Sequence, residues 1–181
     1  MFRIIHIIPG LNRGGAERLV LDIVSELNKK PGIEVRLIIF SNSNDYLKEY
    51  PFIHPVFIPS TVTASVFGKW KYDVEALSKF IKSFQPDVIH THLFETEFVT
   101  RAINYPEAKW FSHCHNNMVQ FENLTLKFFF DKKKLAGFYE KRYLFKRYKV
   151  NGGNHFIAIS KDTQKYFEKR AKPFSLTLLP N

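Results

Sequence analysis

Four histidines stand in two pairs of identical spacing, His90-x-His92 and His113-x-His115. Residues two apart on a β-strand project from one face, so each pair would present two imidazoles side by side. Imidazole can ligate zinc, move a proton near neutrality, or hydrogen-bond inside a core. A metal centre would normally add a carboxylate that orients its histidines, and no such partner is identifiable from the spacing. No metal is therefore expected. His6, His54 and His155 each stand alone near a strand end and read as packed, hydrogen-bonded residues, as do His90 and His113.

A second stretch with chemical potential is PGLNRGGAERL, residues 9–19. Glycines between a strand and a helix bring unpaired N–H groups and the positive end of the helix dipole together, which suits a phosphate. Gly14 and Gly15 could form such a seat, or could only permit a tight turn. Arg13 is either an anion clamp or a solvated loop residue, and Glu17 suits the first helical turn without further function. The glycine spacing matches neither G-x-G-x-x-G nor G-x-x-x-x-G-K-[ST], so the usual NAD and ATP loops are excluded.

The third stretch is basic and aromatic. Nine lysines and arginines lie between Lys127 and Lys149 against only Asp131 and Glu140, a large share of the chain's net charge of +10. On a helical projection Leu135, Phe138, Tyr139 and Phe145 share an arc that also holds Arg142 and Lys146, an arrangement foreign to a dry core helix. Cations can snorkel towards anionic headgroups while aromatics insert, so an anionic membrane surface is one expected partner. Its contacts would be Phe128, Phe129, Lys132, Lys133 and Lys134. A helix packed on the domain is the other reading. Basic and aromatic residues also bind nucleic acid, but no nucleic-acid module is recognisable, and that partner is not expected.

The elements that must position these residues alternate in type. Apolar runs at Ile4–Ile8, Ile33–Phe40, Asp87–Thr91, Lys109–His113, His155–Ile159 and Ser175–Leu179 read as strands, with a short one near Pro55–Ile58. Helical periodicity marks Ala16 to Leu27, Val74 to Phe84, about Glu95 to Asn104, and a segment from Lys161. Residues 59–69 read as loop. This pattern predicts an α/β fold, a doubly wound and mostly parallel sheet with helices on both faces. At 181 residues the chain suits one domain with a conventional core. A single cysteine, Cys114, permits no internal disulfide and points to a reducing, cytoplasmic setting. No apolar run approaches the roughly 20 residues of a membrane span.

Five stretches taken together resemble glycosyltransferase family 4: IIHIIPGLNRGGAERLVLDI, PDVIHTHLFETE, WFSHCHNN, HFIAISKDTQKYF and the terminal LLPN, in that family's order and spacing. The likeness is greatest to capsule and exopolysaccharide transferases, whose fifth strand ends in histidine-serine-histidine-asparagine; Cys114 replaces that serine. The resemblance implies a Rossmann-like domain, the amino-terminal, acceptor-side half of a GT-B enzyme spanning residues 1–181, with the carboxyl-terminal nucleotide-sugar domain absent.

It implies retaining transfer from a nucleotide sugar to a saccharide acceptor, lipid-linked, in envelope polysaccharide synthesis. No cofactor is expected, the nucleotide sugar being a substrate. His115 would be the catalytic cleft histidine. Gly14, Gly15 and Arg13 would contact the donor diphosphate, and His92, Glu95 and Asn116 would face the acceptor and sugar. The protein would be cytoplasmic or peripheral at the inner membrane face, and this half alone inactive. The alternative is a basic module that docks on membrane or nucleic acid without chemistry.

Overall fold

A computed structural model of the chain describes residues 1–63, 70–121, 132–171 and 173–180, with the backbone alone at residues 119 and 132–135. The elements follow in the order β1 (Phe2–Ile8), α1 (Gly15–Asn28), β2 (Ile33–Ile39), β3 (Val56–Phe57), β4 (Thr61–Thr63), β5 (Lys71–Asp73), α2 (Glu75–Phe84), β6 (Val88–His92), α3 (Leu93–Thr100), β7 (Lys109–Cys114), a 3-10 turn (Val119–Phe121), α4 (Lys132–Val150), β8 (His155–Ala158), α5 (Lys161–Ala171) and β9 (Ser175–Leu178).

Seven strands form one sheet in the order β3-β2-β1-β6-β7-β8-β9, every neighbouring pair parallel. Five consecutive buried residues close β1, Ile4 to Ile8, because a central parallel strand is covered on both faces. Ile4 and Ile8 pack with Val20 and Val24 of α1 and with Tyr46 and Ile53 of the loop after β2. Ile5 and Ile7 point the other way, into a core with Leu77 and Ile81 of α2, Val99 of α3 and Trp110. That layer continues through Cys114, Phe156, Leu144, Tyr148 and Phe167. The fold is thus the expected doubly wound α/β sheet.

Two elements differ from the sequence reading. Part of the stretch expected as loop is β4, which pairs antiparallel with β5 in a hairpin outside the main sheet. Three-residue strands are too short to carry a legible period. Among the described residues of α4, Gly137, Tyr143, Leu144 and Tyr148 are buried and Phe145 packs half-buried against the same core, whereas Tyr139, Arg142 and Lys146 stand exposed, and the side chain of Leu135 lies outside the described residues. Tertiary partners set this face: Lys141 Nζ donates to the Phe121 carbonyl at 3.1 Å, and Arg147 donates to the carbonyls of Arg101 and Ala102. No helix among the described residues is long and apolar enough to cross a membrane.

Candidate functional site

Strand order reverses between β1 and β6, since β1 continues to β2 on one side and β6 to β7 on the other. At such a switch point the loops leaving neighbouring strands diverge and open a crevice at the carboxyl edge. Five histidines converge there: His6 on β1, His90 and His92 on β6, and His113 and His115 at the end of β7. The register places His6 beside His90 and His92 beside His113, and side-chain alternation turns all five towards the face that α1 covers.

The rings pack against one another. His90 stacks on His92 at 4.2 Å between centroids and His113 on His115 at 4.4 Å. Two contacts are nitrogen to nitrogen: His6 Nδ1 lies 3.0 Å from His92 Nε2, and His92 Nδ1 lies 3.2 Å from His115 Nε2. His6, His92 and His113 are buried, and His115 is half-buried. Burial lowers the pKa of His6 to about 4 and of His115 to about 4, and burial followed by the charge of His115 lowers His113 to about 3. His90 and His92 are held well below the usual imidazole range by burial and then by neighbouring imidazoles. All five are neutral at pH 7. Two triads, His6/His90/His92 and His92/His113/His115, bring nitrogens within 4.8 Å of one another, close enough to test for a cation.

Around this cluster lie the other residues singled out in the sequence. A cleft of about 280 Å3 is lined by Gly10, Asn12, Ser60 and the exposed Glu95 at the start of α3. Asn116 is exposed immediately after His115. His92 is wholly enclosed, so it lines no surface of its own, and its Nδ1 meets the half-buried His115. Leu93, which follows it, has a φ of +70°, a backbone strain of about 1–3 kcal/mol of the kind that gathers at functional sites.

The glycine loop opens α1 as expected, with Gly14 as its N-cap. The Tyr46 hydroxyl accepts from Gly14 N at 3.0 Å and donates to Gly14 O at 2.9 Å, which fixes the loop. A Cβ on Gly15 would meet nothing within 4 Å, so the approach to the helix start is open there. At Gly14 it would meet the Glu17 carboxylate, which a bound phosphate would have to displace. Arg13 is engaged with Glu49 at 2.8 Å in an exposed ion pair and is not a free clamp. Phe128 and Phe129 lie outside the described residues; Lys132, Lys133 and Lys134 begin α4, where the backbone alone is described.

Two features went unread in the sequence. One is His6, whose isolation in the chain hides its place beside His92. The other is a buried ion pair, Glu97 with Arg101 at 2.9 Å, both about 1% exposed or less. Their i,i+4 spacing was the available signal, but that spacing usually marks a solvated helix face. The guanidinium lies against Trp110 and Tyr148 and donates to Gly153 O, while the Thr91 hydroxyl donates to Glu97. Cys114 is buried, with its thiol pKa pushed well up by burial and then by Glu97, so it is no nucleophile.

A seven-stranded parallel sheet with a glycine-opened first helix and a carboxyl-edge cleft defines a Rossmann-like domain of the GT-B class. The sequence profile of glycosyltransferase family 4 matches residues 13–181, and the chain belongs to that family. Among solved structures it superposes on a glycosyltransferase from Rickettsia africae with a TM-score of 0.62 at 14% identity, covering 99% of this chain and 43% of that one. A sucrose-phosphate synthase from Thermosynechococcus elongatus gives 0.56 at 13%, covering 99% and 48%. The UDP-GlcNAc 2-epimerase of Neisseria meningitidis, bound to UDP-GlcNAc, gives 0.58 at 13%, covering 97% and 46%. The chain therefore spans less than half the length of the structures it resembles. Comparison with curated protein sequences returned no match.

Proposed function

We propose that this chain is the acceptor-side half of a retaining glycosyltransferase that moves a sugar from a nucleotide sugar to a saccharide acceptor, lipid-linked, in envelope polysaccharide synthesis. The observation that carries the reading is a neutral, half-buried His115 at the carboxyl edge of the sheet, in a chain of glycosyltransferase family 4. In the reaction the bond from the anomeric carbon to the diphosphate oxygen breaks and a bond from that carbon to the acceptor oxygen forms on the same face. The acceptor proton leaves with the nucleoside diphosphate. The Gly15 N–H and the positive end of α1 stabilise charge on the departing diphosphate, which lies against Gly14, whose own N–H is taken by the Tyr46 hydroxyl, a second domain completing the clamp. His115 hydrogen-bonds the transferred sugar, with Glu95 and Asn116 on the acceptor side. No resident metal is required.

The test is made in the full-length enzyme. His115→Ala should lower turnover roughly a hundredfold, as removal of one group that contacts the transition state does, with the variant still folded. Wild-type turnover in a folded variant would remove His115 from the mechanism.

A second role rests on α4. Arg142, Lys146 and Lys149 are exposed on it, and with Trp70, Tyr72 and Tyr139 the first two border a groove of about 410 Å3. Such a surface suits the headgroups of an anionic membrane carrying the acceptor, and would hold the enzyme at the inner face of the cytoplasmic membrane.

A further inference from the structure

The row of imidazoles that ends at His115 has a direction. Burial keeps His6, His92 and His115 neutral at pH 7, so each ring carries one N–H and one lone pair. His6 Nδ1 faces His92 Nε2 and His92 Nδ1 faces His115 Nε2, at 3.0 and 3.2 Å. Each contact needs a single proton, and only two arrangements satisfy both. In the first, His6 Nδ1–H donates to His92 Nε2 and His92 Nδ1–H donates to His115 Nε2, which leaves His115 with its proton on Nδ1. In the second, His115 Nε2–H donates to His92, His92 Nε2–H donates to His6, and His6 carries its proton on Nε2.

The far end of the row decides between them. His6 Nε2 is buried and has no hydrogen-bond partner among the described residues. The first arrangement leaves only a lone pair unfilled there. The second would bury an N–H donor with nothing to receive it, the rarer and costlier kind of orphan. The first arrangement therefore wins, and it gives His115 the tautomer opposite to the Nε2–H form that an isolated histidine side chain prefers.

On the reading that this is the acceptor-side half of a glycosyltransferase, we propose that His6 and His92 are positioning residues that fix His115 as its Nδ1–H tautomer, presenting an N–H donor to an oxygen of the sugar in the cleft. The group recognised is then a hydrogen-bond acceptor, a hydroxyl or carbonyl oxygen, and not an amine or other obligate donor. His6 contributes from the opposite end of the row without touching the sugar.

The direction can be read by NMR on the 15N-labelled chain at pH 7.5, through couplings across the N–H···N bonds. Protons on His6 Nδ1 and His92 Nδ1, coupled to His92 Nε2 and His115 Nε2, are expected. Protons on His92 Nε2 and His115 Nε2, or no coupling at all, would overturn the proposal. His92→Phe removes the donor and should return His115 to Nε2–H, whereas His92→Gln can still donate and should keep it on Nδ1. In the full-length enzyme His92→Phe should lower kcat about tenfold with KM little changed, and His92→Gln should restore most of it. Equal kcat in the two variants would exclude a positioning role. Correct tautomers in an enzyme that transfers no sugar would instead refute the transferase reading and leave the proton arrangement standing.

Discussion

His6 illustrates how one buried imidazole couples protonation to folding. In the folded chain its pKa is about 4, set by burial, against about 6.5 when unfolded. Between these values the unfolded chain binds a proton that the folded chain refuses, so stability falls as the pH drops from about 6.5 to about 4 and levels off below. His6 alone should cost about 2 kcal/mol between pH 7.5 and pH 5, and His90, His92, His113 and His115 shift in the same direction. Urea unfolding at the two pH values measures this through the transition midpoint. An unchanged midpoint would mean that the cluster is hydrated. The same desolvation keeps His115 a neutral hydrogen-bonding group at physiological pH, which is the state its proposed contact with the sugar requires.

At the scale of elements, α3 is held by the pair between Glu97 and Arg101, with the guanidinium against Trp110 of β7 and Tyr148 of α4. Removing one partner leaves an uncompensated buried charge. Glu97→Ala should therefore destabilise the domain by about 3–5 kcal/mol. Denaturant titration tests it, and a loss below about 1 kcal/mol would show that water reaches Arg101. For α4 the expectation concerns surfaces. Exposed Arg142, Lys146 and Lys149 should draw the domain to vesicles containing anionic lipid at low salt, each cation contributing about 1 kcal/mol within a Debye length of about 10 Å at 0.1 M salt. Cosedimentation should weaken steeply as salt rises, and charge reversal of the three should abolish the salt-sensitive part. Binding to single-stranded RNA but not to these vesicles would discard the membrane reading.

Across the whole molecule, a single Rossmann-like sheet offers one wall of a cleft. Glycosyl transfer needs donor and acceptor held together while the diphosphate departs, and the solved structures that this chain resembles are about twice its length. The 181-residue chain by itself should show no turnover above blank with nucleotide sugars and lipid-linked acceptors, while a version carrying a second, nucleotide-binding domain should be active. Robust transfer by the shorter chain would place the complete site within one sheet and refute the division of labour proposed here.

The sequence by itself determined the order of the main strands, the glycine-opened helix and the grouping of His90, His92, His113 and His115 at strand ends. Those features follow from local periodicity and from alternation along a strand, both written in neighbouring residues. It likewise carried the family, through five short motifs in register. Tertiary structure decided the rest. His6 joins the cluster because β1 and β6, more than 80 positions apart in the chain, pair in the sheet. The inward face of α4 was set by the carbonyls of Phe121, Arg101 and Ala102, which a helical projection does not contain. Glu97 and Arg101, which neutralise each other along α3, are buried for the same reason: Trp110 and Tyr148, which enclose the guanidinium, lie on other elements, and only folding brings those elements together.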